Sequence, residues 1–260
     1  MVCRISDTGL FHATDGDGPA VIFAHGGDGG HLTWWKQVAA LKDRYRCVTY
    51  DAAGFGLSPA TAGLRQTPGD DLLSLMDELE IARAVLVGHS MGGLAVSGVA
   101  QLHPERVRGL AMSDTPFGFQ TAALSRWAAQ MLEKIPAGFS VLDHLFAPGF
   151  AEREPEMHHL YQAICRNKLP APPPPTPPDF SAAYIAMRDA PPVDYSGFPV
   201  PSLFIVGSED ELTLPWLIEA TARAVGGAEL EVIEGAGHSP FYERTEIYNR
   251  VLTGFIESLL

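Results

Sequence analysis

The sequence predicts an α/β protein, built on a mostly parallel, doubly wound sheet with a helical cap inserted in it. Three observations carry this expectation. Short β-like runs alternate with longer helical stretches through most of the chain, the pattern of a parallel sheet covered on both faces. One run, Ala84-Val85-Leu86-Val87, passes directly into Gly88-His89-Ser90-Met91-Gly92 and then into the small-residue stretch Gly93-Leu94-Ala95-Val96. That is strand, sharp turn and helix, with a serine at the apex. Finally, the alternation stops between Thr115 and about Pro199.

Taken in order, the expected strands are Ala20 to Ala24, Arg46 to Tyr50, Ala84 to Val87, Val107 to Met112, Ser202 to Val206 and Leu230 to Ile233. The stretch before Ala20 is short and yields no strand assignment. Helices are expected at Leu32 to Leu41, Gly69 to Leu79, Met91 to Leu102, Pro215 to Val225 and Thr245 to Leu259. The last carries Ile247, Val251, Leu252, Phe255, Ile256 and Leu259 on one face. Between Thr115 and Pro199 the helical pieces are Leu124 to Ile135 and Glu156 to Arg166. The run Ala171-Pro172-Pro173-Pro174-Pro175-Thr176-Pro177-Pro178 suits neither helix nor central strand, and reads as a stiff polyproline connector. The chain is therefore expected to form one core from residues 1–114 and 200–260, with residues 115–199 inserted as the cap.

Composition narrows the function classes. With 46% hydrophobic and 19% charged residues the chain reads as a soluble globule. It has no apolar run near the ~18 residues of a membrane span. The segment Met1-Val2-Cys3-Arg4-Ile5 lacks the charged start and apolar stretch of a secretion signal, so a cytoplasmic location is expected. Three widely spaced cysteines, Cys3, Cys47 and Cys165, read as free thiols. A net charge of −13 disfavours nucleic acid or an anionic membrane as partner. The expected partner is a small-molecule substrate, with no metal or organic cofactor; nothing sets an oligomeric state.

The chemistry starts from Ser90. Glycines two residues either side leave room for a turn that holds the serine in a strained backbone and lifts its hydroxyl off the sheet. A serine needs a base. His238, in Glu234-Gly235-Ala236-Gly237-His238-Ser239-Pro240, follows the last strand and so lies at the carboxyl edge where Ser90 emerges. Asp210, after Leu203 to Glu209, reaches the same rim and is the candidate acid; Glu209 and Glu211 flank it, any of the three reads equally as a solvated loop carboxylate, and Asp114, which follows another strand, is the rival acid. The glycine-rich His25-Gly26-Gly27-Asp28-Gly29-Gly30 follows a strand without phosphate-loop spacing, and suits amides that approach an oxyanion. Gly26, His31, Trp34, Phe117 and Trp127 are candidate substrate contacts. Trp35, Phe119 and Phe146 read equally as packing or pocket residues, and His158-His159 as a solvent-exposed pair with no third metal ligand nearby.

These residues resemble the α/β-hydrolase superfamily, specifically its serine hydrolases with an inserted cap. The matched elements are His25-Gly26-Gly27, Asp51-Ala52-Ala53-Gly54-Phe55-Gly56-Leu57-Ser58, Gly88 to Gly93, Gly207-Ser208-Glu209-Asp210 and Gly237-His238. The resemblance implies Ser90 as nucleophile, His238 as base and later acid, Asp210 as the orienting acid, and the Gly27 and Met91 amides as the oxyanion hole. It also implies that Asp114 occupies the place from which some members draw their acid. The expected activity is hydrolysis of a small carboxylic ester or lactone through an acyl-serine. Carbon–carbon hydrolysis of a diketone-type product and non-catalytic ligand binding are the alternatives. Epoxide hydrolases and haloalkane dehalogenases carry aspartate where this chain has Ser90.

Overall fold

Six of the strands lie side by side, the central ones with apolar runs buried on both faces. The computed structural model describes residues 1–27, 29–63, 66–134, 141–169 and 181–260; the proline run 171–178 lies outside the described residues. Strands β1 (Val2–Ile5), β2 (Phe11–Asp15), β3 (Ala20–Ala24), β4 (Arg46–Tyr50), β5 (Ala84–His89), β6 (Val107–Ser113), β7 (Ser202–Gly207) and β8 (Glu229–Ile233) form one sheet. Its order is β1-β2-β4-β3-β5-β6-β7-β8. From β4 to β8 all pairings are parallel. The antiparallel edge strands β1 and β2 were not expected; β2 pairs with β4, and β1 with β2. β1 is exposed along its length and β2 is only partly buried, so no buried-strand pattern announces them.

The helices are α1 (Trp35–Leu41), α2 (Pro68–Glu78), α3 (Gly92–Leu102), α4 (Ala122–Lys134), α5 (Phe150–Arg153), α6 (Pro155–Arg166), α7 (Ser181–Asp189), α8 (Pro215–Ala224), α9 (Pro240–Glu243) and α10 (Thr245–Ser258). The expected helix from Leu32 opens instead as a 3-10 turn, His31–Trp34, before α1. Helix α2 begins at Pro68, whose fixed φ suits a first turn, behind a reciprocal Thr67–Asp70 cap in which each backbone N–H donates to the other's side chain. No helix among the described residues is long and apolar enough to cross a membrane.

Strand alternation sorts the core into two layers. Ile22, Val48, Leu86, Leu110 and Phe204 face α2, α3 and α8, while Val21, Phe23, Val87, Leu203 and Ile205 face α1 and α10. Each such side chain contributes about 1.5–3 kcal/mol by leaving water. Cys47 and Cys165 are buried free thiols and Cys3 is exposed.

Between β6 and β7 the chain leaves the sheet for α4 to α7. Two residues of this stretch, Phe119 and Tyr195, belong to the main core, so the insertion is rooted under the sheet's helices. Beyond those roots it divides. Helices α4 and α7 pack around Leu124, Trp127 and Leu217 of α8, whereas α5 and α6 bring Phe150, Tyr161 and Cys165 onto Tyr242 of α9.

The strand order reverses between β3 and β5: β4 lies on one side of β3, and β5 on the other. Loops leaving the carboxyl ends of those two strands diverge and open a crevice, the usual ligand position in such sheets. The loop after β3 is the Gly26-Gly27 segment, and the loop after β5 carries Ser90.

Candidate active site

Ser90 sits at the end of β5 with φ 49°, one of three non-glycine residues in the left-handed region among the described residues. For a serine that conformation costs about 1–3 kcal/mol, which the surrounding structure must overcome. The turn is stitched to the neighbouring strand by the Ser90 N–H donating to the Ser113 carbonyl at 3.1 Å. The Thr115 hydroxyl donates to the Ser90 carbonyl at 2.8 Å. At Gly92 a Cβ would run into the backbone of Ala24 and His25, so only glycine lets α3 start this close to β3. Ser90 itself remains half-exposed.

Beside it, Gly26 is buried against the His89 ring and the Ser90 Cβ, while the space over Gly27 is open among the described residues. Neither the Gly27 nor the Met91 amide donates to another group among the described residues. Met91 is the N-cap of α3, so its N–H belongs to the positive end of that helix. His25 holds the glycine segment in place. Its Nδ1–H donates to the Gly26 carbonyl at 2.7 Å, and its Nε2 accepts the Ala52 N–H at 2.9 Å. Burial lowers the His25 pKa, keeping the ring neutral.

His238 is 1% exposed, and its Nδ1 lies 2.8 Å from Asp210 Oδ2. Asp210 Oδ1 accepts the Leu212 and Thr213 N–H groups at 2.7 and 3.0 Å. The Thr213 hydroxyl stands 2.8 Å from both Asp210 Oδ2 and the Asp114 carbonyl oxygen, its one proton shared between two acceptors. Burial raises the Asp210 pKa, but the His238 charge and these hydrogen bonds outweigh it, and the net shift is downward.

Asp114 is the second carboxyl here. It too has a left-handed backbone, φ 48°. Its Oδ1 accepts the Gly207 N–H and its Oδ2 the Ser113 hydroxyl, each at 2.9 Å. Burial and then the Asp210 charge raise its pKa well above the ordinary carboxylate range, whereas the Asp210 shift is downward, so a proton is held more readily on Asp114 than on Asp210. Ligand-capable atoms of Asp114, Asp210 and His238 lie within 4.8 Å of one another. Their oxygens are already occupied as hydrogen-bond acceptors, which favours proton handling over metal ligation at this cluster.

Two expected contacts lie elsewhere. Trp34 is fully buried, its ring tilted against Phe241 at 4.5 Å and Phe23 at 5.2 Å, because a large apolar ring is best placed in the core under the turn. His31 is turned onto Asp51, with its N–H and Nδ1 on Oδ1, and so cannot face a ligand. Phe117 is half-buried against Trp127 at 5.9 Å. Trp127 is 3% exposed, and its Nε1–H donates at 3.1 Å to the Leu212 carbonyl. The insertion thus braces the loop that carries Asp210. Thr213 and Glu243 had no signal in the sequence pattern, since each acts through a hydrogen bond made only after folding.

Asp51 ties the rim to the turn after β4, accepting the Leu57 N–H at 2.7 Å as well as His31. Burial would raise its pKa; hydrogen bonds from His31 and Leu57 bring it below the ordinary value. The stabilisation is therefore present above about pH 4 and is lost as pH falls through the lowered folded-state value. Wild type should melt higher than Asp51→Asn at neutral pH, with the gap closing in acid below about pH 4; melting midpoints across that range check this.

A reversing parallel sheet with a strained serine at the switch point and a buried imidazole–carboxylate pair on the same rim defines the class of the fold and site. The model of the alpha/beta hydrolase family matches residues 21–251, and the chain belongs to that family. It is 27% identical to 3-oxoadipate enol-lactonase 2 of Acinetobacter baylyi over 258 residues, 95% of this chain and 92% of that protein. A thermophilic esterase from Thermogutta terrifontis superimposes with TM-score 0.74 at 24% identity, covering 99% of this chain and 98% of that one. The enol-lactonase of Burkholderia xenovorans does so with TM-score 0.68 at 24% identity, covering 95% and 96%.

Proposed function

We propose that the chain hydrolyses a carboxylic ester or lactone of a small molecule through an acyl-serine at Ser90. The observation that carries this reading is the buried His238–Asp210 pair, at 2.8 Å, on the sheet rim where Ser90 emerges with two unoccupied amides beside it. The full-length likeness to an enol-lactonase agrees with it.

In this reading Asp210 holds His238 with Nδ1 protonated, which leaves Nε2 as the base. His238 takes the Ser90 proton as the hydroxyl oxygen attacks the substrate carbonyl. The Gly27 and Met91 amides receive the oxyanion; removing one such donor costs about 2.7–4 kcal/mol in a well-studied hydrolase. His238 then gives its proton to the leaving alkoxide, and the acyl-serine forms. Water, deprotonated by the same imidazole, attacks the acyl carbon and returns Ser90. Asp114, protonated, adds no second charge beneath the imidazole. Residues 115–199 serve as the cap that sets which acyl and alcohol groups fit.

The test is a substrate panel of short-chain p-nitrophenyl esters, five-membered lactones and a vinylogous diketone. Esters or lactones should turn over with the diketone inert. Diketone cleavage with esters and lactones untouched would overturn the reading.

A further inference from the structure

One half-buried acid next to the His238 loop is left unused by the chemistry above. Glu243 ends the short helix α9, and its two oxygens point in different directions. Oε1 accepts the Gly237 N–H at 2.8 Å, immediately before His238. Oε2 accepts the Ala147 N–H at 2.9 Å, in the insertion between β6 and β7. The two acceptor sites join segments 90 residues apart in the chain, and their fit is tight: a Cβ at Gly237 would strike the backbone of Phe146 and Ala147. Burial pushes the Glu243 pKa up to about 7, with the N–H groups of Ala147, Gly237 and Ser239 and the charge of Arg244 pulling it back. Tyr161 of α6 also faces it.

The segment that Glu243 holds is also the wall of a cavity of about 590 Å³, bounded by Phe146, Ala147, Phe150, Tyr161, His158 and Glu211. One layer of backbone thus separates this cavity from the His238 loop, and Glu243 fastens that layer on both sides. A second tie from the same helix, the Tyr242 hydroxyl donating to the Met157 carbonyl at 2.8 Å, keeps α6 on the far wall. From the far side of the loop, His89 Nε2–H donates to the His238 carbonyl at 2.7 Å, so the imidazole is held between two anchors.

We propose that Glu243 is a positioning residue for His238, clamping the histidine loop and the cavity wall of the insertion into one unit. The proposal rests on His238 being the base of the reaction above. Loss of the clamp frees the Gly237 peptide, and with it the aim of the imidazole, while Asp210 and Ser90 stay in place. It also frees the wall at Ala147, so substrates that press on the insertion lose more than small ones.

Glu243→Gln keeps shape and one acceptor but turns an amide N–H toward the other backbone N–H. Glu243→Asp keeps the charge on a shorter arm. The experiment compares wild type and both variants by kcat and KM on a small and a bulky ester, and by amide hydrogen exchange at Gly237 and Ala147. For Glu243→Gln the expected result is a kcat at least tenfold lower, exchange at least tenfold faster at those two amides, a KM increase confined to the bulky ester, and Glu243→Asp recovering part of the kcat loss. Unchanged exchange at both amides, or a kcat within twofold of wild type despite faster exchange, would overturn the proposal. The exchange measurement reads the clamp even if no substrate is turned over, so a failure of the reaction assignment is separable from a failure of the clamp.

Discussion

Ser90→Ala is expected to lower kcat on a short-chain ester by about 10⁶-fold, because a nucleophile acting with its base as a unit leaves only binding and oxyanion stabilisation when removed. The fold should survive the change. The hydroxyl makes no hydrogen bond to another group among the described residues. Alanine in the left-handed backbone is strained to about the same degree as serine. The melting midpoint should therefore move little while turnover vanishes. Steady-state rates together with a thermal melt check both halves; loss of activity accompanied by unfolding would speak against the catalytic role.

The second large effect belongs to Asp210→Asn. Asparagine preserves the shape and can keep its oxygen on the Leu212 and Thr213 N–H groups, but it then presents an NH2 donor to His238 Nδ1 in place of the acceptor. The imidazole is pushed toward the wrong tautomer, for which the equivalent change in a serine protease costs about 10⁴-fold in kcat. Asp114→Asn sits one carboxyl away and is expected to cost less than tenfold. Burial and the Asp210 charge already favour the neutral form of Asp114, and an asparagine oxygen can still accept the Gly207 N–H. The two variants compared on one substrate assign the acid. Equal losses would mean that the two carboxyls act as one group, and a larger loss at Asp114 would reverse the assignment.

Much of the sheet was legible because its central strands are buried on both faces and so read as unbroken apolar runs. Val21 to Ala24 and Ala84 to Val87 are examples, each almost wholly removed from water. The elbow was legible for a different reason: a turn that requires glycine at fixed positions writes those glycines into the chain. Strands β1 and β2 were not, because an exposed edge hairpin needs no apolar pattern to pair. Cys3 and Arg4 lie opposite Ala13 and His12 through backbone alone.

At the site, the residues proposed for the covalent chemistry could be singled out from their types and positions after strands. Those that hold them were not. Trp34 follows the glycine loop in sequence, which suggested a ligand contact, yet the 3-10 turn at His31–Trp34 rotates its ring inward onto Phe241. His31 is claimed by Asp51, twenty residues on, a pairing that no local pattern encodes. Trp127, Thr213 and Glu243 make hydrogen bonds to the backbone of segments distant in sequence, and backbone donors and acceptors leave no mark on residue identity.

The most direct test of the account is covalent labelling of folded protein with a fluorophosphonate, followed by intact-mass measurement and peptide mapping of wild type and His238→Ala. The account predicts one adduct per chain, on the peptide containing Ser90, formed rapidly in wild type and orders of magnitude more slowly without the imidazole. An adduct on another residue, no adduct at all, or labelling of Ser90 at the same rate in both proteins would contradict it.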